Sequence, residues 1–200
     1  MIEMKKPSVQ TLARVVRVLI LIVFVCNLIA LLLVPCIAVL AAAWNPEIKY
    51  LTDAVSYHFG GYSLAQLPRF IMDLWVAVWT LTRQDLYVVV LMIFLWVCGI
   101  CTAVILWQGK RVLDSVLKED TFSFANAVNM KRASVCCFVI SGAALVRAVW
   151  GLCAYRNIGT LLTYNSLFVP VFLIAGLICL VMSALFRQAA ELKAENDLTI

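Results

Sequence analysis

Charge is what this sequence has least of. Charged residues fill 14% of its 200 positions, against about a quarter in an ordinary soluble domain. Hydrophobic residues fill 64%, and the mean hydropathy is +1.00. A water-soluble fold has no interior large enough for so much apolar surface, so a lipid bilayer is the implied solvent. Histidine is rarer still, with His58 standing alone. That excludes a serine–histidine pair or an H-E-x-x-H motif within the apolar runs. Those runs also contain no Asp or Glu, so none offers the paired carboxylates of intramembrane acid–base chemistry. The expectation is a protein without enzymatic activity and without a cofactor or metal.

What is present is length of apolar sequence. Four uncharged or nearly uncharged runs reach the roughly 20 residues that a helix needs to cross about 30 Å of hydrocarbon. They cover 18–43, 86–107, 133–153 and about 167–186, and only the third holds a charge, Arg147. The fold class expected is all-α: a four-helix transmembrane bundle forming a single integral membrane domain over 1–200. Lys5 and Lys6 ahead of a run ending in Ala41-Ala42-Ala43 resemble a signal peptide. Signal cores run about 7 to 15 residues, however, and this run is far longer, which favours a retained anchor.

Four spans place both termini on one side. With them lie Lys5, Lys6, Arg14 and Arg17, then Lys110, Arg111, Lys118, Lys131 and Arg132 of the middle segment 108–132, and Arg187 and Lys193 of the tail 187–200. Only Lys49, Arg69, Arg83 and Arg156 fall opposite. The positive-inside bias makes both termini cytoplasmic. Basic flanks at an anionic leaflet account for the net charge of +5 without direct nucleic-acid binding.

The eight cysteines lie within or at the edges of the spans, where thiols behave as small hydrophobes. Cys98 and Cys101 have C-x-x-C spacing, but no second pair of matching spacing exists, so packing is the expected role. Between the first two spans, 44–85 is too long for a turn. There Leu67, Phe70, Ile71, Leu74, Trp75 and Val78 recur at three- and four-residue steps, the pattern of an amphipathic helix lying at the outer interface. A ligand-gripping lid hinged near Gly60-Gly61 is the sharper alternative.

Within the membrane three residues stand out: Asn27 near the middle of the first span, Pro35 interrupting it, and Arg147 in the outer half of the third. Pro35 cannot donate to the Leu31 carbonyl, and Arg147 comes to a similar depth, so it could supply the missing donor. Snorkelling of Arg147 to lipid phosphates is the equal alternative. Gly99 and Ala103, with Ser141, Gly142, Ala144 and Ala148, are the small residues that close helix packing in lipid needs.

The middle segment reads as a structured elbow. Lys110 to Lys118 continues the second helix, and TFSFANAVNMKRAS restarts one, with the Ser123 hydroxyl placed to cap the Asn126 amide and Phe122 and Ala127 at staple positions. In the tail, Leu185, Ala189 and Leu192 continue a helix face, Arg187–Glu191 and Lys193–Asp197 are four-residue ion pairs, and Asn196 can end the helix. Leu198 and Ile200 then fold back over the base of the bundle, or join a surface for a cytosolic partner.

Two stretches, KEDTFSFANAVNMKR and FRQAAELKAENDLTI, carry a resemblance to the bacterial membrane family called domain of unknown function 2975. It covers nearly the whole chain in span order and rests on Phe122, Ser123, Asn126 and Arg132, with Glu191, Leu192, Glu195, Asn196, Asp197, Leu198, Thr199 and Ile200. Thr121 stands where proline is usual and Ala125 where a polar or acidic residue is. The resemblance implies a four-span bacterial inner-membrane protein and transfers no catalytic residue. Family members are often encoded beside a small helix-turn-helix regulator, which implies a partner class. The functional expectation is a regulatory membrane protein that binds such a DNA-binding regulator through elbow and tail. The alternative is a transport or immunity factor handling a small molecule or peptide through Arg147, Asn27 and the outer helix.

Overall fold

The computed structural model describes residues 6–43, 68–69, 72, 75–76, 78–79, 86–118, 122–155 and 164–197. All regular structure among them is helical: α1 (Lys6–Leu32), α2 (Val34–Ala43), α3 (Leu86–Leu117), α4 (Phe124–Tyr155) and α5 (Tyr164–Asp197). Among the described residues four stretches are long and apolar enough to cross a membrane, Thr11–Leu32, Leu86–Leu117, Phe124–Cys153 and Ser166–Asn196. Large apolar side chains such as Leu21, Val146 and Val181 point outward, as expected where acyl chains rather than water surround the helices.

The interruption foreseen at Pro35 is a break between two helices. Leu33 lies in a turn, with its amide shared between the Ile29 and Ala30 carbonyls at 3.1 and 3.0 Å, and α2 restarts with Pro35 as its second residue. A proline is harmless there, because amides of a first turn have no intrahelical acceptor. At the elbow, α3 continues to Leu117 and α4 begins at Phe124.

The contacts form two compact units, Met1–Leu28 with Cys98–Ile200, and Ile29–Val97. In the second unit Val34, Ala38, Val78, Val88, Leu91 and Phe94 are buried. Of the outer segment, Pro68, Arg69, Met72, Trp75, Val76, Val78 and Trp79 are helical, and Trp75 and Trp79 are exposed. The rest of its expected apolar face, with Gly60-Gly61, lies outside the described residues.

In the first unit, α4 and α5 run antiparallel in close contact. The Ser183 hydroxyl donates to the Ala127 carbonyl at 2.7 Å near one end, and Ser141 donates to the Val169 carbonyl at 2.9 Å near the other. Between them Gly176 faces Phe138 and Cys137 so closely that an added Cβ would meet the Phe138 ring at 3.0 Å. The buried line along α5, Gly176, Ser183 and Ala190, keeps a seven-residue step, the repeat that holds two helices in register. Pro170 sits within α5. The small residues foreseen in the third span divide: Ser141 and Ala144 are buried, whereas Gly142 has nothing within 4 Å of an added Cβ.

Candidate functional site

Helix α1 meets α3 along one seam. Ala13, Arg17, Ile20, Phe24 and Asn27 recur at alternating steps of four and three, which places them on one face. Their partners on α3 run in reverse order. Arg17 Nε lies 2.9 Å from Asp114 Oδ1, a charge contact without hydrogen-bond alignment. Ile20 packs on Gly109, the Phe24 and Trp107 rings are 5.9 Å apart, and Asn27 Nδ2 donates to the Gly99 carbonyl at 3.0 Å. The seam is apolar in the middle and polar at both ends. The half-exposed ion pair contributes at most about 1 kcal/mol. The asparagine bond, in lipid, contributes about 0.6 kcal/mol and at most about 1.7. Both fix register more than they add stability, because a one-residue slip separates both pairs.

Of the membrane-depth residues singled out above, Asn27 reaches α3, where the Gly99 carbonyl accepts from its Nδ2. Pro35 and Leu31 belong to the second unit. Arg147 is half-buried and engaged by its surroundings. Arg147→Leu should therefore lower detergent-state stability by about 1–3 kcal/mol, the usual loss when a buried partner is stranded. A rise in thermal midpoint would instead identify an arginine held in the bilayer at a cost. Arg147→Lys keeps the charge without the planar fork and separates geometry from charge.

The thiols of neighbouring helices lie near enough to interact electrostatically, Cys101 of α3 with Cys136 of α4 and Cys137 of α4 with Cys179 of α5. All eight cysteines are free, and among the described residues no group of three or more His, Cys, Asp or Glu side chains could hold a metal ion.

At the elbow the Ser123 cap takes another form. The Asn126 amide donates to the Ser123 backbone carbonyl at 3.0 Å, while the Ser123 hydroxyl is buried without a hydrogen-bond partner. The three-residue backbone bond opens α4 with a tight turn and satisfies the amide that the side chain would have capped. Phe122, expected to staple onto Ala127, has its ring 6.5 Å from that of Phe186 of α5. Asn126 is fully buried and Arg132 is exposed. Elbow and α5 therefore adjoin.

In the tail the Arg187–Glu191 pair is present at 3.0 Å. Leu185 and Leu192 are exposed, and the buried face runs instead through Ser183 and Ala190. Asn196 is helical and α5 continues through Asp197, so Asn196 is not the stop. Residues 191–196 are all exposed. Leu198 and Ile200 lie outside the described residues.

Residues 45–200 match the family described as "Protein of unknown function (DUF2975)". The chain belongs to this family. The match takes in the outer segment, α3, the elbow, α4 and α5, and begins after α2. Asn27 and Pro35 thus lie outside it, although the resemblance read from the sequence extended over nearly the whole chain. No curated protein and no solved structure matches the chain.

Sequence reasoning passed over three features of this unit: the Arg17–Asp114 contact, the close approach at Gly176, and the Ser183 bond. The first had a legible signal in the alternating steps of α1. The other two had none, since one Gly or Ser among many small residues looks like its neighbours until a partner helix is placed against it.

Proposed function

We propose that this is a non-enzymatic regulatory protein of the bacterial inner membrane, with both termini cytoplasmic, which docks a cytosolic partner on its elbow and tail. The partner class implied by the family resemblance is a small helix-turn-helix regulator. The observation that supports this reading is the contact of Phe122 with Phe186. It joins the elbow to α5 beside a stretch of α5, Glu191 to Asn196, that continues past the apolar run with every side chain exposed. A helix that served only as an anchor would gain nothing from two further turns in water. Exposed Phe122 and Phe124 of the elbow offer apolar anchors, and exposed Glu191 and Glu195, further along α5 from Phe186, offer acidic charge, the combination that gives an interface both affinity and orientation.

The reading requires a sidedness that reporter fusions measure directly. A reporter joined after Ile200 or inserted at Glu119 should be active in the cytoplasm, and one inserted near Gly61 should be active outside. An external signal at Ile200 would remove the docking surface from reach of any cytosolic protein.

A second reading, a transport or immunity factor handling a small molecule or peptide, has one observation in its favour: Asn27 is held on the Gly99 carbonyl of α3 in mid-span, and Arg147 is half-buried and engaged by its surroundings. Polar side chains gathered at membrane depth are candidates for function. Loss of a transported or tolerated compound's phenotype in Arg147→Leu, with partner binding intact, would favour this reading over the first.

A further inference from the structure

The apolar run of α3 ends at Trp107. From Leu86 it spans 22 residues, or about 33 Å of helix, close to the thickness of a hydrocarbon core. Trp107 therefore stands at headgroup level, where an indole is at home. Lys110 and Arg111 follow three and four residues later on the same face. Helical side chains lean toward the N-terminus of their helix, so both reach back toward the ring rather than out into solution. Lys110 Nζ lies 5.1 Å from the ring centroid and Arg111 Cζ 5.8 Å, both within cation–π range. Phe24 packs against the same ring and leaves it 42% exposed.

Two cations are thus drawn to one indole, where they repel each other. Asp114, one turn further on, is engaged by Arg17. Among the described residues neither Lys110 nor Arg111 has a carboxylate partner. An anion between them would relieve the repulsion, and the bilayer offers one at this depth. We propose that Trp107, Lys110 and Arg111 bind the phosphate of an anionic phospholipid. The same helix face supplies a place for the lipid's acyl chain: Ile100, Val104, Trp107 and Arg111 follow at steps of four, three and four, with Ile100 and Trp107 exposed. A free phosphate ion has no use for that apolar line. The site is independent of any cytosolic partner, and it is more local than the general attraction of basic flanks to a charged leaflet.

The test is a lipid titration of the full chain in neutral detergent, read as thermal midpoint. Phosphatidylglycerol should raise the midpoint in a saturable way, and phosphatidylcholine should raise it much less. Lys110→Gln with Arg111→Gln should weaken the apparent affinity for phosphatidylglycerol about 30-fold, from the loss of two basic contacts. Lys131→Gln with Arg132→Gln removes the same charge from α4 and should leave the response intact. Trp107→Phe keeps both charges with a poorer cation–π partner, so it should weaken the response by a few-fold and serves if the double variant fails to fold. Equal stabilisation by phosphatidylcholine would overturn the proposal, as would equal losses from the two double variants, which would mean diffuse surface charge. A response to inorganic phosphate with the same dependence on Lys110 and Arg111 would assign the site to a free anion instead.

Discussion

Gly176→Leu should cost the detergent-solubilised protein about 3 kcal/mol, near the upper end of what overpacking a filled contact usually costs. The position leaves no room for a side chain. A Cβ there would stand 3.0 and 3.1 Å from two atoms of the Phe138 ring and 3.2 Å from Cys137 Cβ. The ring can turn aside, but Cys137 Cβ is fixed to the α4 backbone, so relief requires the two helices to separate. That separation would also stretch the hydroxyl bonds from Ser183 to Ala127 and from Ser141 to Val169 on either side. Gly176→Ala introduces only the Cβ and should cost about 1 kcal/mol, partly offset by alanine's better helix propensity. Gly142→Ala is the internal control. Nothing lies within 4 Å of its Cβ position, and the same propensity gain of about 0.5–1 kcal/mol should appear as a small rise in midpoint. Thermal denaturation of the three variants in one detergent decides the matter. If the two alanine variants behave alike, α4 and α5 do not approach at Gly176.

The contrast between these glycines shows how far the sequence could be read. Apolar length and the scarcity of charge are properties of the chain itself, so the four membrane-length helices and the helical restart after the elbow could be found without coordinates. Helix faces were harder. In lipid the outward face is as apolar as the inward one, so the alternation that marks the core of a soluble helix is missing. For that reason the tail face was assigned to Leu185 and Leu192, which are exposed, rather than to Ser183 and Ala190, which are buried. Small and polar residues carry the packing signal instead, but a list of them does not say which are used: Gly142 was named and is open, whereas Gly176 was passed over and is closed in. At the candidate sites, Asn27 and Arg147 stood out because polar groups at membrane depth are rare. Lys110 and Arg111 did not, because a cation after an apolar run is ordinary until both are seen against one ring. The serine cap at Ser123 failed for a local reason, since its backbone carbonyl reached the Asn126 amide first.

If elbow and tail dock a cytosolic partner as proposed, a chain stopped after Phe186 should lose that partner and keep its fold. Among the described residues, the truncation removes the exposed turns from Glu191 to Asn196, the exposed Arg187–Glu191 pair and a single buried side chain, Ala190. Exposed four-residue ion pairs contribute only a few tenths of a kcal/mol, and an alanine buries little, so the midpoint should fall by no more than about 4 °C. Phe186 itself stays, and with it the contact to Phe122 that orders the elbow. Binding of the proposed regulator should by contrast drop by about 100-fold or more, since truncation removes the acidic rim of the proposed surface. Glu191→Lys with Glu195→Lys leaves the helix in place and reverses only the charge. It should weaken binding while abolishing most of its salt dependence, because exposed charges act over a screening length of about 8 Å at physiological ionic strength. A truncated chain that melts far below the intact protein and exposes the elbow to protease near Lys131 would make the tail a structural lock. One that melts normally and still binds the proposed regulator with full affinity would move the search for function to Arg147 and Asn27, because polar side chains at membrane depth are candidates for function.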